Sequence, residues 1–522
     1  MTAAKQTALD WIEANRAAIS ADHQTLWEFA EPAWREYRSA AWYVDRLRAE
    51  GFEVEAGSAG MPTAFCARWG DEGPVLGGYA EYDAVPGRTQ AQTPYRKPRE
   101  GYSAYAAGHT DPHSALGIGA FAGFIAAKRA FERHGIKARL KFFGEPAEKM
   151  CGSKPVHAAH GYYDDLDAAI SFHPASFEGF RNSCYWDTAC LAYWSKIYTF
   201  RCDSPQTWTA EVAATGHGHS SNRAPGSLDA VCMMYTLAKQ LKESMLPRSG
   251  GWTLNEHVLV AGQATSDNLA PNIGQIQYSC RAPTLAMHEP VFAVLDRTAR
   301  QVAEMTHCTL EETWVTKTRV GLPNRALAAL TFGNFALVGP PAWDQAARDF
   351  GREIQRGLGL TPMDDPFPAS MSRLTQPEDG EAWMRSMLPP WQMHYGADDY
   401  VDYTWHAPTV RLYVARPVLA EPSPGYRYPE WTRYAMGGLA ATIDPMWHAA
   451  GRTIATTLVD LATDPAALAA AQQEFRERTG GGIGGERWVA PLLPGDFKAP
   501  VDFAWPEYVD TPRGREWTLR SP

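Results

Sequence analysis

Groups that bind metals or exchange protons recur where apolar runs end in the first third of the chain. Glu81 and Asp83 close the run PVLGGYAEYD, Glu145 and Glu148 follow ARLKFF, and His173 follows the run from Leu166 to Phe172. A further cluster, Gly108-His109-Thr110-Asp111-Pro112-His113, stands immediately before a long stretch of small and apolar residues. Asp111 and His113, two apart around a proline, can point the same way from an extended loop, and imidazole with carboxylate suits zinc or manganese. A carboxylate held beside metal-activated water serves as general base during attack on a carbonyl. Glu148 is the best placed for that task, and Glu145 is a further ligand candidate. Any one such residue alone is more often a cap or turn residue. Asp83, in D-A-V-P-G, is able to bond its own backbone, and His109 can do the same in its loop. The recurrence at successive strand ends favours the functional reading.

A second constellation is Gly216-His217-Gly218-His219-Ser220-Ser221. His219 or His217 could reach into a cleft and donate to a carbonyl oxygen that gains negative charge in a transition state. A glycine-containing loop with solvent-facing histidines fits the same pattern, and both readings stay open.

The elements that must position these groups follow from periodicity. Helical spacing predicts helices over Ala4 to Ala30 and Ala40 to Glu50, the second ended by Gly51. A strand over Pro74 to Tyr82, a helix over Ser114 to His134 ended by Gly135, and strands over Ala138 to Phe143 and Leu166 to Phe172 follow. This rhythm implies an α/β layer with a parallel sheet. Such sheets hold ligands beyond the carboxyl ends of their strands, so groups far apart in sequence can converge there. From about Leu191 to Val320 the order becomes strand, helix (Leu228 to Lys242), two strands (Val258 to Ala264 and Gly274 to Ala282), helix (Glu289 to Met305), strand. That order fits a small split β-α-β sheet inserted in the larger domain. Helices at Ala342 to Gly357 and Trp447 to Ala462 return to the α/β layer. The expected division is residues 1–190 and 326–522 for a mostly parallel-sheet catalytic domain, with an inserted α+β ferredoxin-like domain at 191–325.

Size and composition agree. The 522 residues exceed one ordinary core, and 45% hydrophobic with 21% charged residues is the balance of a globular protein. The net charge of -10 comes with no basic stripe, which argues against nucleic acid as a partner. The polar amino terminus lacks the apolar run of a signal peptide, and no later segment is expected to span a membrane. The expectation is a cytoplasmic protein acting on a small molecule. Its eight cysteines form no C-x-x-C pair and read as reduced core residues.

In order and spacing, the segments FAEPAWREYRSA, AEYDAVPG, GHTDPHSALGIGA, GEPAEKMCGSK, DDLDAAISFHP, NLAPNIGQ, LPNRALAAL, GADDYVDYTWHAPT and MWHAAGRTIATTLVDL resemble the aminoacylase and glutamate-carboxypeptidase type of metallopeptidase, and within it the aminobenzoyl-glutamate hydrolase group. The resemblance runs through nearly the whole chain. It implies a catalytic domain holding one or two divalent ions, zinc or manganese, a lid domain that makes a homodimer contact, and hydrolysis of an amide linking an acyl or aroyl group to an amino acid. His113 and His173 match metal ligands and Glu148 the general base. Asp111 stands where the group usually has a cysteine ligand. His219, or else His217, matches the lid histidine.

Two positions depart from the pattern. The glutamate that normally follows the general base is Lys149, and the last histidine ligand is replaced by Ile443, with Asp444 and His448 the nearest substitutes. An ammonium at Lys149 repels a second cation by several kcal/mol where it is poorly solvated. The sequence therefore leads to a metal-dependent amidohydrolase. Its alternatives are a member with a reduced metal site using Glu148, Lys149 and histidines for acid–base chemistry, and a non-catalytic binding protein on the same scaffold.

Overall fold

The computed structural model describes residues 1–175, 177–203, 226–246, 251–262 and 271–518. Its strands are β1 (Glu53–Ala56), β2 (Phe65–Trp69), β3 (Val75–Ala80), β4 (Arg139–Gly144), β5 (Ala168–Ala175), β6 (Ser183–Cys184), β7 (Ala192–Arg201), β8 (Thr253–Val260), β9 (Ile273–Ala282), β10 (Thr309–Lys317), β11 (Thr409–Ala415), β12 (Tyr508–Thr511) and β13 (Gly514–Trp517). They form a seven-stranded sheet in the order β1-β2-β4-β3-β5-β11-β6, a four-stranded sheet β10-β7-β9-β8, and the hairpin β12-β13.

In the large sheet β4, β3, β5 and β11 run parallel, while β1, β2 and β6 extend the edges antiparallel. Every residue of β3 and β11 is buried, as a parallel strand covered by helices on both faces requires. The inserted sheet is antiparallel throughout. Its helices Ser227–Met245 and His288–Met305 give the chain order strand, helix, strand, strand, helix, strand, the ferredoxin-like arrangement. These elements close over a hydrophobic cluster of their own.

The helix His113–His134 fixes the floor of the larger domain. Nearly all of its residues from His113 to Phe131 are buried, because small and apolar side chains surround it on every side. It has the length and apolarity of a membrane span, yet 94% of its apolar window is buried in protein. Gly135, at φ 63°, ends it in the left-handed conformation that glycine adopts without strain. Its neighbour is the helix Ala440–Thr463. A Cβ on Gly123 would stand 2.8 Å from the Ile454 Cβ and 2.9 Å from the Gly451 carbonyl oxygen, so glycine sets the separation of the two helices.

Some expected boundaries move. The helix expected over Ala4 to Ala30 is two, Ala3–Ala14 and Arg16–Phe29. Asn15 divides them, its side-chain amide capping the Trp11 carbonyl at 2.8 Å, a local bond that competes with helix continuation. The strand expected at Val258 starts earlier, at Thr253. Helices Arg325–Val338, Pro377–Met387 and Pro465–Thr479 add to those expected from periodicity, as does β11.

The glycine contact sets a stability expectation. Gly123→Ala should lower the unfolding free energy by about 1–3 kcal/mol, the usual cost of forcing an extra methyl into a packed core. It would be read as a lower urea midpoint, and an unchanged midpoint would show that the helices shift apart at no cost.

Candidate active site

The carboxyl ends of the parallel strands bring the reactive groups together. β3 ends at Ala80, which delivers Glu81 and Asp83; β4 ends at Gly144, which leads into the loop carrying Glu148 and Lys149. His173 lies near the end of β5, paired in register with Tyr413 of β11, while Arg411 pairs with Ser171. His113 is the first residue of the long buried helix.

The loop holding Glu148 and Lys149 is under backbone strain. Ala147 (φ 57°, ψ 35°) and Cys151 (φ 52°, ψ 44°) flank its single helical turn in left-handed geometry, which costs a non-glycine residue about 1–3 kcal/mol and persists only where surroundings impose it. The surroundings are visible. The Ala147 N–H donates to Glu36 Oε1 at 2.7 Å and the Lys149 N–H to Asp83 Oδ2 at 2.8 Å. Trp34 fills the space beside Gly152, where a Cβ would meet its Cζ2 at 2.6 Å.

His113 is fully buried. Its Nδ1 lies 2.6 Å from Asp83 Oδ1, so the ring donates there and turns Nε2 toward the cleft. Around that nitrogen stand Glu81 Oε2 and Glu148 Oε2, each at 3.5 Å, and Lys149 Nζ at 3.2 Å. His173 donates from Nδ1 to its neighbour's carbonyl, Pro174 O, at 2.9 Å, and its ring centroid is 5.9 Å from that of His113. Glu81, His113 and His173 each offer a ligand atom within 4.8 Å of the others, and so do Asp83, His113 and Glu148. Glu81 Oε2 is buried and has no hydrogen-bond partner among the described residues. Two imidazoles and a carboxylate are a donor set that zinc takes, and a buried carboxylate oxygen without a donor calls for a cation. These residues fit a divalent ion.

The remaining carboxylates are tied to cations. Lys154 Nζ, wholly buried, lies 2.8 Å from Glu81 Oε1 and 2.5 Å from Asp399 Oδ1. Arg411 pairs with Asp398 and donates to Ser171 Oγ at 2.7 Å. Asp111 receives Lys149 Nζ at 2.8 Å and Arg416 at 2.6 Å. Burial raises Glu81 to about 7 against the opposing pull of Lys154, with Glu148 adding to the rise. Burial and Asp398 push Asp399 well above the carboxylate range, although Lys154 opposes them. Asp111 is held well below it: burial works against ionisation, but Lys149 and Arg416 outweigh it. Burial, with Arg411 beside it, keeps His173 well below the ordinary imidazole value and hence neutral, as a metal ligand must be. The cleft above these groups holds about 320 Å³, and its walls include Asp111, Glu148, Lys149, His173, Arg411, Tyr413 and, from β9 of the inserted sheet, Arg281.

The structure thus brings Asp111, His113, Glu148 and His173 to one small volume. Asp111 differs from the expected ligand in that both its oxygens are engaged by Lys149 and Arg416. Glu145 is not in the cleft: its oxygens accept from Tyr163 and Tyr403 and pair with His157, which makes it the centre of a buried structural network. His448 pairs with Glu13 at 3.0 Å, Asp444 accepts from Ser20 and Trp447, and Ile443 is packed in the core. None of the three joins the cleft residues. His217 and His219 lie outside the described residues. Asp398, Asp399, Lys154, Arg411 and Arg416 join the site without a sequence signal that marks them. Asp398, Asp399 and Lys154 fall inside segments that carry the family resemblance, but a lone Asp-Asp or Lys gives no spacing from which to read a role.

No family model matches the chain. It is 28% identical over 495 residues to one subunit of the p-aminobenzoyl-glutamate hydrolase of Escherichia coli (strain K12), covering 90% of this chain and 94% of that one. To the Xaa-Arg dipeptidase of Mus musculus it is 23% identical over 330 residues, 59% of this chain and 65% of that one. The crystal structure of the aminobenzoyl-glutamate utilization protein from Klebsiella pneumoniae shares the fold, with a TM-score of 0.50 at 14% identity, over 85% of this chain and 98% of that one. The sequence similarity gives the class: the protein is a hydrolase of the amidohydrolase, metallopeptidase-like kind. Within that class, the resemblance to the aminobenzoyl-glutamate hydrolase group holds along nearly the entire sequence.

Lys154 offers a direct check of the charge arrangement. Replacing it by Met leaves Glu81 and Asp399 buried without their cation, and breaking a buried pair in this way costs about 3–5 kcal/mol. Lys154→Met should lose stability on that scale in chemical denaturation, and adding Glu81→Gln should recover part of it. A single variant as stable as the parent would show that the two carboxyls are protonated and need no counter-ion.

Proposed function

We propose that the protein hydrolyses the amide bond of an N-acyl or N-aroyl amino acid, an aminobenzoyl-glutamate-like substrate, with a divalent ion held by Glu81, His113 and His173. The observation that carries this reading is the Glu148 carboxylate beside that donor set, at the edge of a cleft large enough for a small molecule. The similarity to part of a p-aminobenzoyl-glutamate hydrolase supports the substrate class.

An ion in that position supplies Lewis acidity, polarising the amide carbonyl and acidifying water. The chain's own residues do the rest. Glu148 accepts the proton of the attacking water and then passes it to the departing amine nitrogen, the two duties of a general base turned general acid. Asp83 holds His113 in the tautomer that leaves Nε2 unprotonated. Arg281 lines the cleft and forms no ion pair among the described residues, which suits it to the carboxylate of the amino-acid half. Tyr185, Tyr395, Tyr413 and Phe177 also line the cleft and offer faces against which a flat aroyl group can pack. His219 or His217 remains the proposed donor to the carbonyl oxygen, and a homodimer the proposed assembly.

Metal-free hydrolysis is the second reading, favoured by the Lys149 ammonium beside Glu148. Activity that survives exhaustive chelation, in protein shown to hold no metal, would select it.

For the first reading, Glu148→Gln should leave metal content unchanged and lower kcat by at least about 100-fold on N-aroyl amino acids, the lower end of what a positioned base contributes. Retained turnover would remove Glu148 from that role.

A further inference from the structure

We infer that the ammonium of Lys149 occupies the seat of a second cation and does its electrostatic work, so that the chain takes up one divalent ion where an acidic residue at 149 would admit two. This rests on the divalent site proposed above.

The placement of Nζ carries the inference. It lies 2.8 Å from Asp111 Oδ2, 3.2 Å from His113 Nε2 and 3.4 Å from Glu148 Oε2, three atoms of the kinds that ligate divalent metals. A surface lysine extends into water. Lys149 instead turns inward with only 23% of its side chain exposed, and its own N–H is fixed to Asp83. Arg416, bonded to Asp111 from the other side and to the Thr110 carbonyl, orients that carboxylate onto the ammonium.

The open ligand position lies on the Glu81 side. Among the described residues Glu81 Oε2 has no hydrogen-bond partner, whereas on the Asp111 side both carboxylate oxygens are already engaged, by Lys149 and Arg416. His113 Nε2 has a single lone pair, so an ion at Glu81, His113 and His173 takes it from Lys149, which keeps Asp111 and Glu148.

The test is metal stoichiometry by mass spectrometry and Mn2+ affinity by calorimetry, on the full chain and on K149E and K149M. The expected result is one ion per chain in the parent and two in K149E. K149M, which removes the ammonium and adds no ligand, should hold one ion at least tenfold more tightly. Two ions in the parent, or equal counts in parent and K149E, would overturn the inference. No ion in the parent, whatever K149E holds, would refute the single-ion hydrolysis proposed above and the inference with it, whereas one ion in both chains overturns the inference alone. Should K149E fail to fold, K149M decides: an Mn2+ affinity equal to the parent's overturns the inference.

Discussion

Everything at the cleft depends on keeping several carboxylates ionised, or nearly so, in a place where water is scarce. Glu81, Asp83, Asp398 and Asp399 are all buried, and an isolated buried carboxylate takes up a proton in preference to staying charged. The sheet supplies the counter-charges from neighbouring strand ends and loops: Lys154 between Glu81 and Asp399, Arg411 on Asp398, Arg416 and Lys149 on Asp111. The compensation is incomplete at Glu81 and Asp399, and the open Glu81 oxygen is what a cation would answer.

The same constraint accounts for features remote from the chemistry. Four parallel strands must end at one level for Glu81, the Glu148 loop, His173 and Arg416 to meet. That layer is held by a helix buried on all sides and packed through glycine against a second one. The left-handed Ala147 and Cys151 aim Glu148 and Lys149 inward, and a carboxylate from an early segment, Glu36, holds that loop by its backbone. Strain and burial are thus concentrated where side chains of like charge are forced together.

Much of this is legible in the sequence, and the failures have identifiable causes. Strand ends followed by acidic or imidazole groups mark Glu81, Asp83, Glu148 and His173, because the pattern needs only local order and the rule that α/β sheets bind at their carboxyl ends. The split β-α-β order of the insertion is readable for the same reason. Glu145 carries the same local signal as Glu148 three residues later, and only the direction of its side chain, toward His157 and Tyr163 rather than the cleft, separates the two. His448 sits on a helix whose cleft-ward face no periodicity identifies. The basic partners Lys154, Arg411 and Arg416 are invisible in the sequence because their role exists only in relation to carboxylates distant along the chain. The strand β11, which carries Arg411 and is flanked by Pro408 and Pro417, is not among the strands expected from the sequence. In sequence Lys149 is an obstacle to metal; its position among Asp111, His113 and Glu148 makes it a component of the site.

The most direct measurement is an anomalous difference map at the manganese edge from crystals of the full chain grown with Mn2+. One peak among Glu81, His113 and His173, with the Lys149 ammonium still on Asp111, is the expected result. No peak at those three side chains, or a peak in the place of the Lys149 ammonium, would contradict it.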